Sequence, residues 1–404
     1  MEEVTTVPQS SHTVRTNESG TLVRHDEHDR LRIGIDARIL AETVPMGVSR
    51  YMTSLLRATA ELAPQHEYLL YVHTPITEEP FAAQPFYQRL LAGNAVLDNP
   101  LVWQQLYLPW YVWRDRVDVL LSPYYSGPLF SSAPQIVCVC DISFSLFPQD
   151  FPSWFRFKPK LLARPASRRA ARVMTISDFS RQEIARGYGL ALEKVKVVYP
   201  GNEDRFWWRS RPIVEKPKVH LNVPFFLFVG SLLSRRQVGL VIQALVRLPL
   251  DYYFILVGED DPAKRETLMS TARQWNVAAR VHCVGRVSDE ELDGLYYRAV
   301  ALISPSTYEG FGLPVLEAMS RGLPVIAWDI PVIREVAADA AVLLHSGDVA
   351  GLATTMLRVG TDPALRQALG RAGKEQAGKF SWWRSAAALL TVLHEAAGDE
   401  ERLG

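Results

Sequence analysis

The stretch ALISPSTYEGFGLPVLEAMSRGLPVIAWD, residues 301–329, contains a complete strand–helix–strand unit. Its first six and last seven residues are apolar runs that predict buried strands. Between them we predict a helix over 314–321, because Pro314 suits the first helical position and Gly322 suits the position just past a helix end. The unit is therefore one right-handed β-α-β crossover between two parallel strands.

Apolar runs alternate with helical patterns along most of the chain. The predicted strands of the first half are 32–38, 68–73, 117–123, 135–141, 172–177 and 194–200, and those of the second half are 225–230, 252–258, 281–285, 301–306, 323–329 and 341–345. This alternation is typical of parallel sheets covered by helices on both faces. We predict an α/β fold with two Rossmann-like, doubly wound domains in tandem and a ligand cleft between them.

Composition marks the borders of these domains. Residues 1–30 are polar and contain no apolar run, so we predict a disordered tail. The polar stretch 205–222, which carries two prolines, is predicted to link the domains 31–204 and 223–380. The remaining residues, 381–404, are predicted to form a C-terminal helix that packs back on the first domain.

Helical periodicity in the first domain predicts helices over 48–62, 103–115 and 178–187. Ser180 and Glu183 have the spacing of a capping box at the start of the last of these. The aromatic run LVWQQLYLPWYVW lies within the second, and we interpret it as core.

Bulk composition excludes several classes of protein. The chain has 404 residues, with 44 Lys+Arg balanced by 44 Asp+Glu, which argues against a nucleic-acid-binding protein. Its three cysteines, Cys138, Cys140 and Cys283, show no metal-ligand spacing and fit a reducing cytoplasm. We predict no transmembrane helix, because no window approaches 18 apolar residues. We also find no dinucleotide-binding or Walker glycine pattern after a first strand, which makes a nicotinamide dehydrogenase improbable.

Two carboxylates flank the glycine-rich turn of the opening stretch. The loop 307–313 should lie over a helix N-terminus, a position that attracts phosphate, and Gly310 and Gly312 let the backbone approach a bulky anion. A carboxylate repels phosphate but accepts hydrogen bonds from two adjacent hydroxyls. Glu317 is therefore predicted to take ribose hydroxyls and Glu309 those of a second sugar, as in a sugar nucleotide. The alternative is that both glutamates only complement the helix dipole.

A diphosphate also needs cations, and two adjacent arginines can supply them. Arg235 and Arg236 follow the strand FFLFVG and should hang over the same sheet edge, where guanidinium groups suit phosphate oxygens. The chain has no Asp-x-Asp triplet to bridge a metal ion, so we predict a metal-independent site without a further cofactor. The alternative is that both arginines are simply solvated.

These residues resemble glycosyltransferase family 4, retaining enzymes of the GT-B fold. The resemblance rests on Glu-x7-Glu within STYEGFGLPVLEAMSRGLPVIA and on an ordered series of further segments past residue 30. Those segments are GIDARIL, MGVSRY, VCVCDISFSLFPQDFP, MTISDFSRQEI, VVYPGNEDRF, FVGSLLSRR, HCVGRVSDEELDGLYYRA and the terminal FSW.

The resemblance implies a role for each matching residue. Glu317 would bind the donor ribose, Glu309 the donor sugar, and Arg235 and Arg236 the diphosphate, while Asp141 would face the reacting sugar from the first domain. We take Glu309, Asp141, Arg235 and Arg236 as the implied catalytic residues. The further implied substrate-binding residues are Gly47 at the phosphates, Gly285 to Val287 at the base, and Gly310, Phe311, Gly312 and Leu313 in the loop.

The implied activity is transfer of a hexose, of the mannose or glucose type, from a nucleotide diphosphate sugar to a hydroxyl of a glycan or lipid-linked acceptor. The chain departs from the family at Cys140, where a histidine often precedes the aspartate, and a thiol cannot replace imidazole hydrogen bonding. A catalytically silent sugar-nucleotide-binding protein and a nonhydrolysing sugar-nucleotide epimerase are the alternatives.

One basic stretch indicates a second kind of partner. Residues 156–172 contain seven Lys/Arg and no acid, and could rest on the inner face of an anionic membrane. The alternative is a solvated helix face.

Overall fold

The computed structural model describes residues 30–41, 47–77, 80–90, 99–151, 162–202, 223–258 and 261–398, together with the pairs 15–16 and 22–23. The two pairs form a short antiparallel ladder. The rest of the predicted tail and the predicted linker 205–222 lie outside the described residues, and both stay predictions.

The first domain is built on a parallel sheet that has seven strands among the described residues. The strands are β1 Arg32–Asp36, β2 Glu67–Val72, β3 Phe86–Leu90, β4 Val119–Ser122, β5 Gln135–Cys138, β6 Arg172–Thr175 and β7 Val195–Val197. Their spatial order is β3-β2-β1-β4-β5-β6-β7. The central strands β4 and β5 are buried along their whole length, as strands covered by helices on both faces must be.

The second domain repeats this architecture with six parallel strands in the described part of the chain. The strands are β8 Phe225–Val229, β9 Tyr253–Val257, β10 Val281–Gly285, β11 Ala301–Ser304, β12 Val325–Trp328 and β13 Val342–Leu344. Their order is β10-β9-β8-β11-β12-β13. The register runs from Phe225 opposite Tyr253 to Val229 opposite Val257. The predicted α/β class with two doubly wound domains is confirmed.

Helices connect the strands and cover both sheets. They are α1 Gly47–Leu62, α2 Leu108–Arg114, α3 over 162–169, α4 Asp178–Tyr188, α5 Val238–Leu245, α6 Pro262–Gln274, α7 Asp289–Arg298, α8 Leu313–Ser320, α9 Pro331–Ala337, α10 Val349–Thr361, α11 Pro363–Ala377 and α12 Trp382–Ala397. The short helix Pro100–Val102 and the π-helical segment Trp103–Tyr107 lead into α2, and Ser143–Leu146 forms a further short helix. None of the helices in the described ranges is both long and apolar enough to cross a bilayer.

The strand order indicates where a ligand cleft lies in each domain. In each sheet the order reverses once, between β1 and β4 in the first domain and between β8 and β11 in the second. Parallel sheets leave a crevice at such a reversal, outside the carboxyl ends of the strands. The loops that follow β8 and β11 carry the two arginines and the glycine-rich turn, so the predicted site lies at this crevice.

The last helix returns to the first domain. Trp382 is buried and lies 5.9 Å from Tyr51 of α1, measured between ring centroids. The same apolar cluster contains Leu389 and Leu393 of α12 and Leu55 of α1. Helix α12 therefore forms part of the core of the first domain.

An ionic contact holds the far end of α12. Glu395 lies 2.9 Å from Arg172 on β6 and 2.8 Å from Lys196 on β7. Burial alone would raise the pKa of Glu395, but hydrogen bonds from Lys196 and Arg172 outweigh it, and the pKa lies below its usual value. A depressed pKa means that the pairing stabilises the fold above the unfolded pKa and is lost as the pH falls through the folded pKa.

We therefore expect Glu395→Gln to melt about 2 °C below the unmodified protein at pH 7. This difference in Tm should narrow as the pH falls from about 5 to 3. Thermal melts across this pH range measure both effects. Glu183→Gln is the matched control, because its carboxylate pairs with the exposed Arg186 one turn away on the same helix. A Tm difference that is constant with pH would contradict the assignment.

Three details differ from the sequence-based expectations. Strand β3 was not predicted, because an edge strand buries only part of its surface and FYQRL carries few apolar residues. The predicted capping box at Ser180 is wrong: Ser177 is the N-cap of α4 and accepts from the Ser180 amide. The capping box lies instead at α7, between Ser288 and Glu291.

The aromatic run of residues 101–113 is only half core. Trp103 and Val112 are fully buried, but Leu106, Trp110 and Trp113 are 65%, 49% and 65% exposed. Their spacing of four and three residues puts the exposed side chains on one helical face, opposite the buried ones. The expectation that the whole run is core is therefore wrong.

Candidate active site

The glycine-rich turn after β11 ends at the N-terminus of α8. Gly312 is the N-cap residue, with φ +96°, a left-handed conformation that favours glycine. No side chain caps this helix end, and Pro314 lies in its first turn. A Cβ on Gly47, the first residue of α1, would lie 3.9 Å from Leu313. Two helix N-termini from different domains therefore meet here, a combination that favours an anion.

Glu309 lies in the turn between these elements. Its Oε1 accepts a hydrogen bond of 2.8 Å from the Ser306 hydroxyl and lies 3.3 Å from Nε of Arg236. The side chain is mostly buried, with 16% exposed. This position brings a carboxylate and a guanidinium together beside the meeting helix ends.

The guanidinium of Arg236 fits over a glycine at the end of β8. A Cβ on Gly230 would lie 1.6 Å from Nη1 of Arg236, so only glycine leaves room for this side chain. Within the described residues, the buried Nε of Arg236 has no hydrogen-bond acceptor, since its contact with Glu309 is not aligned for one. An unsatisfied buried donor beside an anion-favouring helix end is the arrangement that a phosphate oxygen would complete.

Arg235 is held differently from its neighbour. Its Nη1 donates to Asp150 of the first domain at 2.9 Å, and its guanidinium lies 5.7 Å from the ring centroid of Phe151. Burial would raise the pKa of Asp150, but hydrogen bonds from Ser234 and Arg235 lower it. Arg235 thus joins the two domains at the cleft, with its Nε lacking an acceptor among the described residues.

Glu317 lies one turn into α8 and is buried. Its Oε2 accepts a 2.6 Å hydrogen bond from the hydroxyl of Tyr296 on α7. Burial raises the pKa of Glu317, although Arg50, Tyr296 and Arg321 act in the opposite direction. Arg50 belongs to α1 of the first domain and lies 3.4 Å from Asp289. Residues of both domains therefore surround the carboxylate of Glu317.

The glycine-rich turn touches the first domain at Asp141. A Cβ on Gly310 would lie 2.9 Å from Oδ2 of Asp141, so backbone and carboxylate are in direct contact across the cleft. Oδ1 of Asp141 accepts from the Ser143 amide at 2.8 Å. Burial raises the pKa of Asp141, although the hydrogen bonds of Ser143 oppose this. Asp141 thus faces the second domain, as its predicted role requires.

The other predicted residues occupy the rim. Gly285 ends β10 with φ +71°, and Val287 is half-buried two residues further on, beside the start of α7. Phe311 is different, because its ring is buried 6.3 Å from Tyr199 and 5.6 Å from Phe380. Only the backbone of Phe311 is therefore available to a ligand at the turn.

Cys140 does not present its thiol as a catalytic group. It is buried, and its sulfur lies 4.0 Å from that of Cys138. The contact with Cys138 and burial both raise the pKa of Cys140, which keeps the thiol neutral. Cys140 therefore behaves as a small buried hydrophobe.

Sequence reasoning missed the partners that hold these groups. Asp150 contacts Arg235 from the loop that follows Ser143–Leu146. Tyr296 and Asp289, which both belong to α7, contact Glu317 and Arg50 respectively. Asp150 stands in the quoted segment VCVCDISFSLFPQDFP, which was the only available signal for it. In the described ranges, no three His, Cys, Asp or Glu side chains cluster as metal ligands would.

Family models match both domains. The model described as Glycosyltransferase Family 4 matches residues 45–204, and the model described as Glycosyl transferases group 1 matches residues 210–376. Together they cover the second sheet and every strand of the first sheet except β1.

Curated relatives point the same way. The O-antigen chain mannosyltransferase B of Escherichia coli is 31% identical over 222 residues, which are 52% of this chain and 57% of that protein. The O-antigen chain mannosyltransferase RfbU of Salmonella typhimurium is 30% identical over 259 residues, 62% of this chain and 68% of that one. The chain thus spans little more than half the length of the first relative.

A solved structure supports the fold. Anabaena Alr3699/HepE in complex with UDP-glucose aligns with a TM-score of 0.67 and 18% identity, over 90% of this chain and 100% of that one. The architecture is that of the GT-B glycosyltransferases. The chain belongs to glycosyltransferase family 4, which confirms the resemblance found in the sequence.

Proposed function

We propose that this protein transfers a hexose from a nucleotide diphosphate sugar to a hydroxyl of a glycan or lipid-linked acceptor, with retention at the anomeric carbon and without a metal ion. The observation that carries the proposal is the convergence of Glu309, Arg236 and the N-termini of α1 and α8 at one point of the cleft, against Asp141. We place the reaction in the cytoplasm, because Cys138 and Cys140 are buried thiols, which suit a reducing compartment.

The choice of sugar rests on the relatives. Two of them are named O-antigen chain mannosyltransferases, and a structural neighbour was solved with UDP-glucose. A mannose-type donor is therefore the first candidate and a glucose-type donor the second. An O-antigen is a polysaccharide, so a growing glycan is the first candidate acceptor.

The donor would lie with its diphosphate at the paired helix ends and its ribose at Glu317. During transfer the bond between the anomeric carbon and the diphosphate oxygen breaks, and negative charge grows on the diphosphate. Arg236 and the two helix ends stabilise that charge more in the transition state than in the ground state. These fixed positive groups perform the task that a metal ion performs in other sites.

The sugar would pass through an oxocarbenium-like state beside Glu309, whose carboxylate offsets the positive charge. The acceptor oxygen then bonds to the anomeric carbon on the same face that the diphosphate leaves. Its proton moves to the departing phosphate oxygen, so no protein nucleophile is needed. Asp141 and the backbone of Gly310 border this face and limit the access of water.

One experiment tests the proposal directly. The purified protein is incubated with uridine, guanosine and adenosine diphosphate derivatives of mannose and glucose, and released nucleoside diphosphate is measured with and without added oligosaccharide or polyprenyl-linked sugar. Release that the acceptor accelerates supports a transferase. Tight nucleotide-sugar binding without release would identify the silent alternative, and conversion of the sugar without an acceptor would identify an epimerase.

The proposal includes a peripheral membrane contact. Residues 156–161 of the predicted basic stretch lie outside the described residues, and beyond them Arg168 and Arg169 are exposed. Arg169 lies 4.8 Å from the ring centroid of Phe130, which is 74% exposed. The amide of Leu129, next to Phe130, donates to Gln105, next to Leu106. The surface of Arg169 and Phe130 therefore adjoins the exposed face of Leu106, Trp110 and Trp113. Exposed tryptophans beside arginines suit an anionic bilayer surface.

We expect the double variant Trp110→Ala/Trp113→Ala to bind vesicles of phosphatidylglycerol and phosphatidylcholine about tenfold more weakly than the unmodified protein. Vesicle cosedimentation measures this, with pure phosphatidylcholine as the uncharged comparison. Trp275→Ala is the matched control, because Trp275 is 42% exposed on the second domain. Failure of the unmodified protein to bind anionic vesicles, or dimers in gel filtration that the double variant abolishes, would contradict the membrane contact.

A further inference from the structure

The N-terminus of α4 carries two buried serines. Ser177 is the N-cap, and its side chain accepts from the amide of Ser180 at 3.0 Å. Both side chains are fully buried. Neither hydroxyl proton is used within the helix end, because each is donated across the cleft.

Both hydroxyls donate to the same atom of the second domain. Ser177 Oγ donates to the carbonyl oxygen of Gly310 at 2.6 Å, and Ser180 Oγ donates to it at 3.0 Å. A carbonyl oxygen has two lone pairs, so these bonds saturate it. The peptide between Gly310 and Phe311 is thus fixed to the first domain by two hydrogen bonds.

The same helix end receives a carboxylate from the second domain. Glu335 of α9 accepts the amide of Asp178 at 2.6 Å and that of Phe179 at 2.9 Å. It also accepts the hydroxyl of Tyr199 at 2.8 Å. The first amides of a helix have no intrahelical partner, and the helix dipole favours an anion there, so this contact is a strong one.

These contacts form one unit, which we call the α4 clasp: Ser177, Ser180 and Glu335. Its bonds run in both directions across the cleft, with hydroxyls donated to the second domain and a carboxylate received from it. The carbonyl that it grips belongs to Gly310, whose Cα side touches Asp141. The residue before is Glu309, which lies beside Arg236.

We propose that the α4 clasp positions the Gly310–Phe311 peptide, and through it the preceding residue Glu309, for sugar transfer, by fixing the turn of the donor-binding domain against Asp141 of the first domain. Ser177, Ser180 and Glu335 are positioning residues, since they act through the turn and touch neither the diphosphate nor the sugar. The inference rests on the proposed function for its kinetic consequence, but the coupling itself can be measured without any substrate.

The kinetic test uses Ser180→Ala and Glu335→Gln. Ser180 is not the cap, so Ser180→Ala removes a bond to Gly310 and leaves the N-cap of Ser177 in place. We expect each variant to lower kcat for transfer about tenfold, while the donor KM changes less than about threefold. The kcat of the double variant should fall by a factor smaller than the product of the two single factors, because both substitutions act on one unit.

Two control variants separate positioning from general damage. Ser167→Ala removes a buried hydroxyl of the same domain, one without a hydrogen-bond partner among the described residues. Glu183→Gln removes a half-buried carboxylate of α4 itself, one that pairs with Arg186 on the same helix. Both should keep kcat within about twofold. Clasp variants that lower Tm but leave kcat unchanged would overturn the proposal.

The substrate-free test is amide hydrogen exchange in peptides covering 177–182 and 308–313. We expect Glu335→Gln and Ser180→Ala to raise exchange about tenfold in both peptides, and Ser167→Ala in neither. If Glu335→Gln affects only the 177–182 peptide, the helix end does not hold the turn and the proposal is overturned. If no nucleotide sugar is turned over but both peptides respond, the proposed function fails while the coupling stands.

Discussion

Replacement of Glu309 by glutamine is expected to lower kcat for sugar transfer by about 10²–10³-fold, with little change in the donor KM. Glutamine keeps the shape of the side chain and can still accept from Ser306, but it has no charge to offset an oxocarbenium-like sugar. The effect belongs to the transition state, because the ground-state donor carries no positive charge on its sugar. Initial rates at saturating donor and acceptor measure it.

A matched control for this variant is Glu266→Gln. Glu266 forms an ion pair with Arg273 on the exposed surface of α6, far along the chain from the turn. It should retain kcat within about twofold, since surface changes of this kind have small effects. Full activity in Glu309→Gln would show that the carboxylate serves the fold and not the reaction.

Arg236→Met is expected to cost a comparable factor, about 10²–10³ in kcat, with the donor KM raised as well. The guanidinium lies over Gly230 beside Glu309, where charge would develop on the diphosphate. The kcat of Arg236→Lys should lie between those of the unmodified protein and Arg236→Met, because lysine keeps the charge but not the fork of donors that suits phosphate.

The same measurement on Arg334→Met gives the comparison for Arg236. Arg334 is exposed and pairs with Asp329 in the same domain, so its loss should change kcat and KM little. Calorimetric titration with UDP and GDP adds an independent readout, since Arg236→Met should weaken the binding of both. Unchanged diphosphate affinity together with unchanged kcat would remove Arg236 from the site.

The fold could be predicted because its buried strands are recognisable as continuous apolar runs in the sequence. Runs such as FFLFV and YFILV are apolar at every position, as parallel strands with helices on both faces require. Strand β3 could not be predicted in this way, because an edge strand meets fewer neighbours and its sequence shows no continuous apolar run. The exposed tryptophans of α2 were misjudged for a related reason, since composition alone does not say which face of a helix is covered.

The placement of the candidate site residues could be predicted only where a local sequence pattern fixes it. Glu309 and Glu317 share a single β-α unit with the helix end between them, and local rules place all three. Asp150 and Glu335 come from distant segments, and only the packing of one domain on the other brings them to Arg235 and to α4. No local pattern identifies such partners, and Ser180 was assigned to a cap because its partner carbonyl is more than a hundred residues away.

Helix α12 has a consequence for how this protein can be divided. Because Trp382 fills space against Tyr51, a gene cut after residue 204 would encode a first half with an open apolar groove and poor yield on expression. Supplying Trp382–Ala397 as a separate peptide, or fusing it behind residue 204, should rescue that half. Chimaeras that exchange domains between related proteins would accordingly fold only when α12 and the first domain come from the same parent.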